Sequence, residues 1–297
     1  MMESLAGLSV GDAFGQRFFF AEIAANCLPD RILPPAPWRW TDDTNMALSI
    51  VEVLLDGRGL DQDALAQSFA ARYNSTRGYG PAMHGLLRRI QAGANWRAEA
   101  RRLFSGQGSY GNGASMRVAP LGAFWARDLD RVADEASRSA EVTHAHPEGI
   151  AGAIAVAVGA AAASKSRGEP LSPSDFLEVI LESIPAGAVR AGIELAAQLE
   201  PEIGLVDAVA RLGNGSRITA QDTVPFALWV AAHHLDDYED ALWSTAEAGG
   251  DVDTTCAIVG GVVAGRVGVT GIPPEWLERR EALPNWAAVA EGSGHTF

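Results

Sequence analysis

Apolar residues recur at spacings of three and four along most of the chain, the pattern of helices that bury one face. Residues 46–55 are typical. No alternation of apolar and polar residues lasts for the length of a strand, so the pattern predicts an all-α protein. Further helices are predicted at residues 63–74, 79–92, 130–142, 175–183, 189–199, 224–234 and 238–248.

Two segments, residues 149–163 and 257–265, are unusually rich in small residues. Small side chains let helix backbones approach closely, so we expect both segments in the packed centre. The longest apolar run, residues 150–163, has 14 residues. A helix that crosses a bilayer needs roughly 20. The run therefore indicates a buried helix, and no membrane partner is expected.

The chain has 297 residues, 47% of them apolar, and no long linker divides it. We predict a single domain over residues 1–297, because this length is enough for one large core. Residues 292–297 include a Gly-Ser-Gly stretch and are predicted to fray. The formal net charge of −14 disfavours a nucleic-acid groove, because phosphates would be repelled over most of the surface.

Two cysteines are too few for a secreted disulfide scaffold of this length. The first fifteen residues contain Glu3 and Asp12 and lack the basic start of a secretory signal. We therefore expect a cytoplasmic protein, and we expect it to be a monomer.

Four clusters of small and polar residues each precede a helical segment. They lie at residues 40–44, 111–113, 143–144 and 249–255. Helix capping explains each cluster singly, because Asp, Thr and Asn side chains accept hydrogen bonds from the free backbone N–H groups of a first turn. A cap of this kind contributes about 1 kcal/mol.

Two of these clusters carry more charge than a cap needs. Asp42 and Asp43 supply two carboxylates, and so do Asp251 and Asp253. Carboxylates beside Thr hydroxyls, with no neighbouring Cys or His ligand, form a hard oxygen site that suits Mg²⁺, Mn²⁺ or Ca²⁺ and disfavours Zn²⁺. The alternative for each pair is a solvated surface turn, and spacing alone leaves both interpretations open.

The same segments, in the same order, resemble the ADP-ribosylglycohydrolase family, which includes the bacterial dinitrogenase reductase-activating glycohydrolase and the animal ADP-ribosyl hydrolases. The resemblance spans nearly the whole chain through residues 7–15, 40–44, 108–117, 143–144 and 249–254. A Thr-Asp-Asp run alone is common. The glycine-flanked Asn112 and the double glycine before Asp251 are distinctive, and five ordered matches make the signal specific.

The resemblance implies an all-α, compact orthogonal bundle of helices with a central metal-containing cleft. It also implies a hydrolase that releases ADP-ribose by cleaving an ADP-ribosyl glycosidic bond, with two Mg²⁺ or Mn²⁺ ions bridging the early and late acidic clusters. Four Asp residues would roughly neutralise two such ions. Asp42 or Asp253 would accept the proton of the attacking water. The positions that match the family's ligands are Thr41, Asp42, Asp43, Asp251, Asp253 and Thr254.

The resemblance places the rest of an ADP-ribose against the middle clusters, because backbone N–H groups in glycine-rich loops suit a diphosphate. The matching residues are Ser109, Tyr110, Gly111, Asn112, Gly113 and His144. Tyr110 would stack on adenine, or it is a loop aromatic that packs on the core. His144 would lie near the phosphates, or it is a second helix cap. Residues 77–80 resemble the branch that removes ADP-ribose from serine and from polymers.

One departure from the family concerns the general base. The family commonly has a glutamate seven residues after the Asp of its Gly-Asp motif, and this chain has Phe19 there. Glu22 is the predicted substitute, since the nearer Gln16 cannot accept a proton at neutral pH. The substrate is expected to be an ADP-ribosylated protein or a small ADP-ribose conjugate. The alternative is a non-catalytic member of the fold that binds ADP-ribose or resembles the lens crystallin.

Overall fold

The computed structural model describes residues 1–55, 57–200 and 202–287. Within these residues the chain forms sixteen α-helices and three short 3-10 turns, and it has no β-strand. Extended segments pair only at isolated bridges such as Gly111 with Thr219. The all-α prediction is therefore confirmed. The end predicted to fray, residues 292–297, lies outside the described residues.

The helices predicted from apolar spacing are all present, with ends shifted by at most four residues. The pattern did not single out α1, α2, α6, α7, α12 or α16. The bounds are α1 Met2–Gly15, α2 Ala21–Cys27, α3 Asp42–Leu54, α4 Gln62–Arg72, α5 Pro81–Gln91, α6 Trp96–Gly106, α7 Ala119–Phe124, α8 Leu129–Glu141, α9 Pro147–Lys165, α10 Pro173–Ser183, α11 Ala188–Ala197, α12 Leu205–Leu212, α13 Ala220–His233, α14 Tyr238–Glu247, α15 Val252–Val267 and α16 Pro274–Arg279.

The centre of the fold is an antiparallel pair formed by α1 and α15. Gly7, Gly11 and Gly15 lie on the face of α1 that touches α15, opposite Gly260, Cys256 and Val252 respectively. A Cβ atom at any of the three would overlap a backbone oxygen of α15. The two backbones are therefore in direct contact, and the end of α1 lies against the start of α15.

Helix α9 packs against α7, α8, α10, α13 and α15. It is long and apolar enough to cross a membrane by length and composition alone, yet 78% of its most apolar window is buried inside the fold. This agrees with the predicted buried helix. Its side chains from Gly149 to Ala163 are mostly small, which lets the surrounding helices approach it closely.

An aromatic cluster packs beside the end of α1. The ring of Phe14 stacks on Trp276 at a centroid distance of 4.5 Å and meets Trp243 edge-on at 4.9 Å. The extended segment before α3 is joined to the end of α16, because Trp38 N–H donates to Arg279 O at 2.7 Å and Glu281 N–H donates to Trp38 O at 2.7 Å. The chain thus returns from α16 to the segment that leads into α3.

We predict that Gly11→Ala destabilises the protein, because its new methyl group must push α1 away from α15. Overpacking of this kind costs about 1–3 kcal/mol, which corresponds to a fall in the thermal unfolding midpoint of about 3–10 °C. The matched control is Gly85→Ala in α5, where the Cβ would meet only the flexible guanidinium of Arg89. Removing a helical glycine there is expected to leave the midpoint unchanged or raise it. Equal midpoints for the two variants would contradict the close contact.

Candidate active site

Three carboxylates from three helices converge at one point. Asp12 lies in the last turns of α1, while Asp43 and Asp253 lie in the first turns of α3 and α15. One carboxylate oxygen of each lies within 4.8 Å of the others. Asp12 and Asp43 are buried and Asp253 is partly exposed, so the cluster is accessible to solvent from the side of α15. The early and late acidic clusters therefore meet, as the resemblance implied.

Asp12 holds the start of α3 in place. Its carboxylate accepts hydrogen bonds from the backbone N–H groups of Thr41 at 2.9 Å and Thr44 at 3.1 Å, and from their hydroxyls at 2.8 and 2.5 Å. The motif at residues 7–15 includes Asp12, but no role for this residue was predicted from the sequence. The missed signal was a lone acid inside an otherwise apolar segment, because a buried carboxylate requires partners.

Thr41 is the N-cap of α3, where its Oγ1 accepts a hydrogen bond from Asp43 N–H at 3.4 Å. The same Oγ1 lies 2.8 Å from Asp12 Oδ1 and 3.0 Å from Asp43 Oδ2, and its single hydrogen can serve only one of them. The other oxygen, Asp43 Oδ1, is buried without a hydrogen-bond partner among the described residues. The start of α3 therefore has more acceptors than donors.

Asp251 occupies the N-cap position of α15 but makes no capping hydrogen bond. Its Oδ2 instead accepts from Asn112 Nδ2 at 2.7 Å, and Asn112 also donates to Thr223 Oγ1 at 3.0 Å. Helix capping therefore does not account for Asp251. The side-chain amide of Asn112, predicted to contact substrate, is used within the protein to orient Asp251.

The pKa values of the clustered acids are raised, because the carboxylates are buried and lie close to one another. Burial raises the pKa of Asp12 to about 6. Burial and repulsion from Asp12 raise the pKa of Asp42 to about 8. Burial and the neighbouring carboxylates hold the pKa values of Asp43 and Asp253 well above their usual range, and burial also raises the pKa of Asp251. The cluster thus concentrates more negative charge than the surrounding protein offsets.

These donors fit divalent cations of the Mg²⁺ or Mn²⁺ type. The cluster offers carboxylate and hydroxyl oxygens only, and Asp43 Oδ1 has no protein donor. A divalent cation would provide a partner for that oxygen and would offset the repulsion among the acids. The six predicted ligands all lie at the starts of the two helices: Thr41, Asp42 and Asp43 at α3, and Asp251, Asp253 and Thr254 at α15.

A loop at residues 74–80 covers Asp42. Asp42 N–H donates to Arg77 O at 2.7 Å, and a Cβ at Gly78 would lie 3.5 Å from Asp42 Oδ1. The Arg77 guanidinium lies over the ring of Trp40, 3.4 Å from its centroid, and forms hydrogen bonds of 2.7 and 2.8 Å with Glu281. Residues from both ends of the chain therefore support this wall of the site.

His144 is a buried, neutral histidine beside the glycine-rich loop. Thr143 Oγ1 accepts a hydrogen bond from Arg117 at 2.9 Å and lies within hydrogen-bond distance of His144 Nδ1, at 2.7 Å. Burial, with the nearby charge of Arg117, lowers the pKa of His144 to about 3. The capping alternative for His144 is wrong, because His146 is the N-cap of α9.

The loop at residues 108–113 packs directly on this histidine. A Cβ at Gly113 would lie 3.0 Å from His144 Nε2, and one at Gly111 would lie 3.4 Å from it. Ser109 is buried, and its Oγ accepts from Gly111 N–H at 3.2 Å. Because Gly111 and Gly113 have no Cβ, the backbone of the loop can approach His144 closely. The same feature lets it approach a bound ligand.

Arg117 is a fully buried cation beneath the site. Its guanidinium donates to Ser139 O at 3.0 Å and lies over the ring of Phe69 at 4.4 Å. Burial lowers its pKa to about 9, while the charge of Asp42 acts in the opposite direction. One buried arginine does not balance the acids of the cluster.

Tyr110 is partly exposed and has an aromatic neighbour that the sequence did not reveal. Its ring centroid lies 6.1 Å from that of Phe104, which is 53% exposed. Phe104 and Ser105 both have positive φ, where side chains other than glycine are strained. Both interpretations of Tyr110, a ring that stacks on adenine and a loop aromatic that packs on the surface of the core, stay predictions.

A family model described as ADP-ribosylglycohydrolase matches residues 1–293. The chain belongs to the ADP-ribosylglycohydrolase family. It is 29% identical to ADP-ribosylhydrolase ARH3 of Gallus gallus over 279 residues, covering 82% of this chain and 74% of the relative. It is 26% identical to the ADP-ribosylarginine hydrolase Tri1 of Serratia proteamaculans over 305 residues, covering 96% and 76%.

A solved structure, described as an ADP-ribosylglycohydrolase-related protein complex, superposes with a TM-score of 0.67 at 26% identity. The match covers 94% of this chain and 91% of the other. The fold implied by the sequence resemblance is therefore confirmed. The relatives' names agree with an ADP-ribosyl hydrolase.

The family's usual glutamate position is occupied by an exposed Phe19, at the end of a 3-10 turn that leaves α1. Gly15, just before this turn, packs against Val252 and Asp253, so the turn starts beside the acidic cluster. Glu22, the predicted substitute base, is exposed in the first turn of the short helix α2. Its role as the base stays a prediction.

We predict opposite stability changes for Asp12→Asn and Asp43→Asn, measured by thermal unfolding in EDTA. An amide at position 12 would face four donors with one acceptor oxygen and cost about 1–3 kcal/mol. An amide at position 43 removes a repulsive charge and is expected to raise the unfolding midpoint by about 2–4 °C. If Asp12→Asn were as stable as wild type, the proposed anchoring of α3 by Asp12 would be wrong.

Proposed function

We propose that this chain releases ADP-ribose from an ADP-ribosylated protein, or from a small ADP-ribose conjugate, by hydrolysing the glycosidic bond to the ribose. The observation that carries the proposal is the meeting of Asp12, Asp43 and Asp253 beside an Asp251 that is oriented by Asn112 instead of capping its helix. Membership of the family and the names of ARH3 and Tri1 support it.

We further propose that the site works with two Mg²⁺ or Mn²⁺ ions, held by Thr41, Asp42, Asp43, Asp251, Asp253 and Thr254. When bound, such ions supply positive charge that polarises the ribose hydroxyls and lowers the pKa of water. The unpartnered Asp43 Oδ1 and the repulsion among the acids support this assignment. The two buried, unpaired cysteines fit a cytoplasmic protein.

The protein's own groups perform the remaining tasks. Asn112 fixes Asp251, and Asp12 fixes the start of α3, so the acids are positioned before substrate arrives. Asp42 or Asp253 accepts a proton from water as the water oxygen attacks the anomeric carbon. The bond from that carbon to the leaving group breaks, the leaving group takes the bonding electron pair, and the carboxylate passes the proton on to it. Positive charge develops at that carbon in a glycosidase-type transition state, and the neighbouring carboxylates stabilise it.

The diphosphate and adenine occupy the loop at residues 108–113 in this proposal. Backbone N–H groups near Gly111 and Gly113 would donate to phosphate oxygens, and the neutral ring of His144 presents its Nε2 to the same loop. The exposed pair Tyr110 and Phe104 would hold adenine by stacking. The strained backbone at Phe104 supports a role for that ring in binding.

The direct test measures free ADP-ribose after incubation with ADP-ribosylated protein in Mg²⁺ or Mn²⁺ and, in parallel, in EDTA. We expect release only with metal, and a rise in the unfolding midpoint on metal addition, because a cation that binds only the native state stabilises it. Asp253→Asn should fold normally and lose most turnover. Asp130→Asn, on an exposed first turn of α8, is the matched control and should keep it.

The same assay separates hydrolysis from binding alone. A non-catalytic member of the fold would bind ADP-ribose in calorimetric titration and release none from the conjugate. That result, or equal turnover by Asp253→Asn and Asp130→Asn, would overturn the proposal. Serine-linked and arginine-linked substrates tested side by side would give the preferred linkage.

A second prediction concerns Glu22 as the general base. If Glu22 takes the proton from water, Glu22→Gln lowers kcat by about 100-fold or more and leaves ADP-ribose affinity nearly intact, because general base catalysis typically contributes that much. Single-turnover hydrolysis and calorimetry make the distinction. The control is Glu239→Gln, in the first turn of α14. Normal turnover by Glu22→Gln would assign the base role to Asp42 or Asp253.

A further inference from the structure

A cavity lies at the opposite end of the α1–α15 pair from the carboxylates. Its volume is about 290 Å³, and its walls come from the start of α1, the end of α15, the end of α9 and the turn after α7. Nine residues of α1 separate Glu3, in this cavity, from Asp12, which corresponds to about 14 Å along the helix axis. The cavity is therefore distinct from the candidate active site.

The cavity gathers positive charge in a protein whose net charge is −14. Arg127, Lys165 and Arg167 line it, and Lys165 is the only lysine in the chain. Among the described residues that line the cavity, Glu3 is the only acid, and Arg167 already binds that carboxylate with contacts of 2.5 and 3.3 Å. Within the described part of the chain, Arg127 and Lys165 have no hydrogen bond or ion pair. Two cations in the cavity therefore lack a counter-ion.

A hydroxyl in the cavity wall also lacks a partner. Ser164 Oγ is buried, and in the described structure it has no hydrogen-bond partner. Ser164 directly precedes Lys165 at the end of α9. The cavity thus offers a spare hydroxyl donor beside two unpaired cations, and its one carboxylate is occupied. This combination favours an anion with several acceptor oxygens.

We infer that this cavity binds a small phosphate monoester, with the phosphate between Arg127, Lys165 and Ser164. A tetrahedral dianion accepts hydrogen bonds from all three groups and neutralises the two unpaired charges. The volume lies just below the roughly 300–1,000 Å³ of ordinary ligand pockets, which leaves space for a body of about the size of one sugar. The inference does not rest on the proposed hydrolase function.

The single lysine provides a direct probe. Reductive methylation with ¹³C-formaldehyde labels Lys165 and the α-amino group of Met1, which also lines the cavity. The dimethyl-lysine signal is assigned by its absence from Lys165→Arg, and it reports the surroundings of Lys165 by NMR. Titration with ribose 5-phosphate in EDTA, at constant ionic strength maintained with chloride, should shift this signal saturably, with half-saturation near or below about 1 mM. Inorganic phosphate should shift it with weaker affinity. Ribose without phosphate should leave it unchanged.

Variants identify the site. Arg127→Gln should weaken the binding of ribose 5-phosphate by about tenfold or more, because it removes a charge-assisted hydrogen bond. Arg211→Gln, on the exposed face of α12, is the matched control and should bind like wild type. The inference fails if the Lys165 signal responds to chloride as it does to phosphate, if ribose alone shifts it, or if Arg127→Gln binds normally. None of these readouts requires hydrolase activity, so a failure here leaves the proposed function untouched.

Discussion

The backbones of α1 and α15 touch, and the site depends on that contact. Gly7, Gly11 and Gly15 have no Cβ to hold the helices apart, so Asp12 on one helix comes within reach of Asp253 on the other. Asp12 then holds the start of α3 through Thr41 and Thr44. Three segments far apart in sequence are thus brought together by one helix pair, and any change in its spacing would change the separation of the carboxylates.

The carboxylates so gathered repel one another, and the fold offsets this only in part. Asp12 lies within hydrogen-bond distance of four donors, whereas Asp43 keeps a buried oxygen without a donor among the described residues. Arg117 contributes one positive charge from below. A protein selected for stability alone would gain by losing some of these acids. Their presence together is better explained by function.

Helical periodicity predicted the all-α fold and most of the amphipathic helices, because those helices bury one face and expose the other. It missed α1, which is buried from Ser4 to Gly15 and therefore has no polar face to produce a period. The paired acids at α3 and α15 were recognisable because they exceed what a cap requires. The roles of Asp12 and Asn112 were not recognisable, since each depends on a partner distant in the chain. The pairing of Phe104 with Tyr110 depends on the positive φ of Phe104 and Ser105, which apolar spacing does not reveal.

The hydrogen bonds between Arg77 and Glu281 make the last part of the described chain a structural component of the acidic site. Arg77 lies on the loop that covers Asp42, and Glu281 follows α16 and is fastened to the backbone of Trp38. A protease that cut just before Glu281 would leave every aspartate of the acidic cluster in place and yet release the loop beside Asp42. Limited trimming of the protein would therefore loosen one wall of the acidic site, and it would also remove the buried side chains of Leu283 and Ala287 from the core.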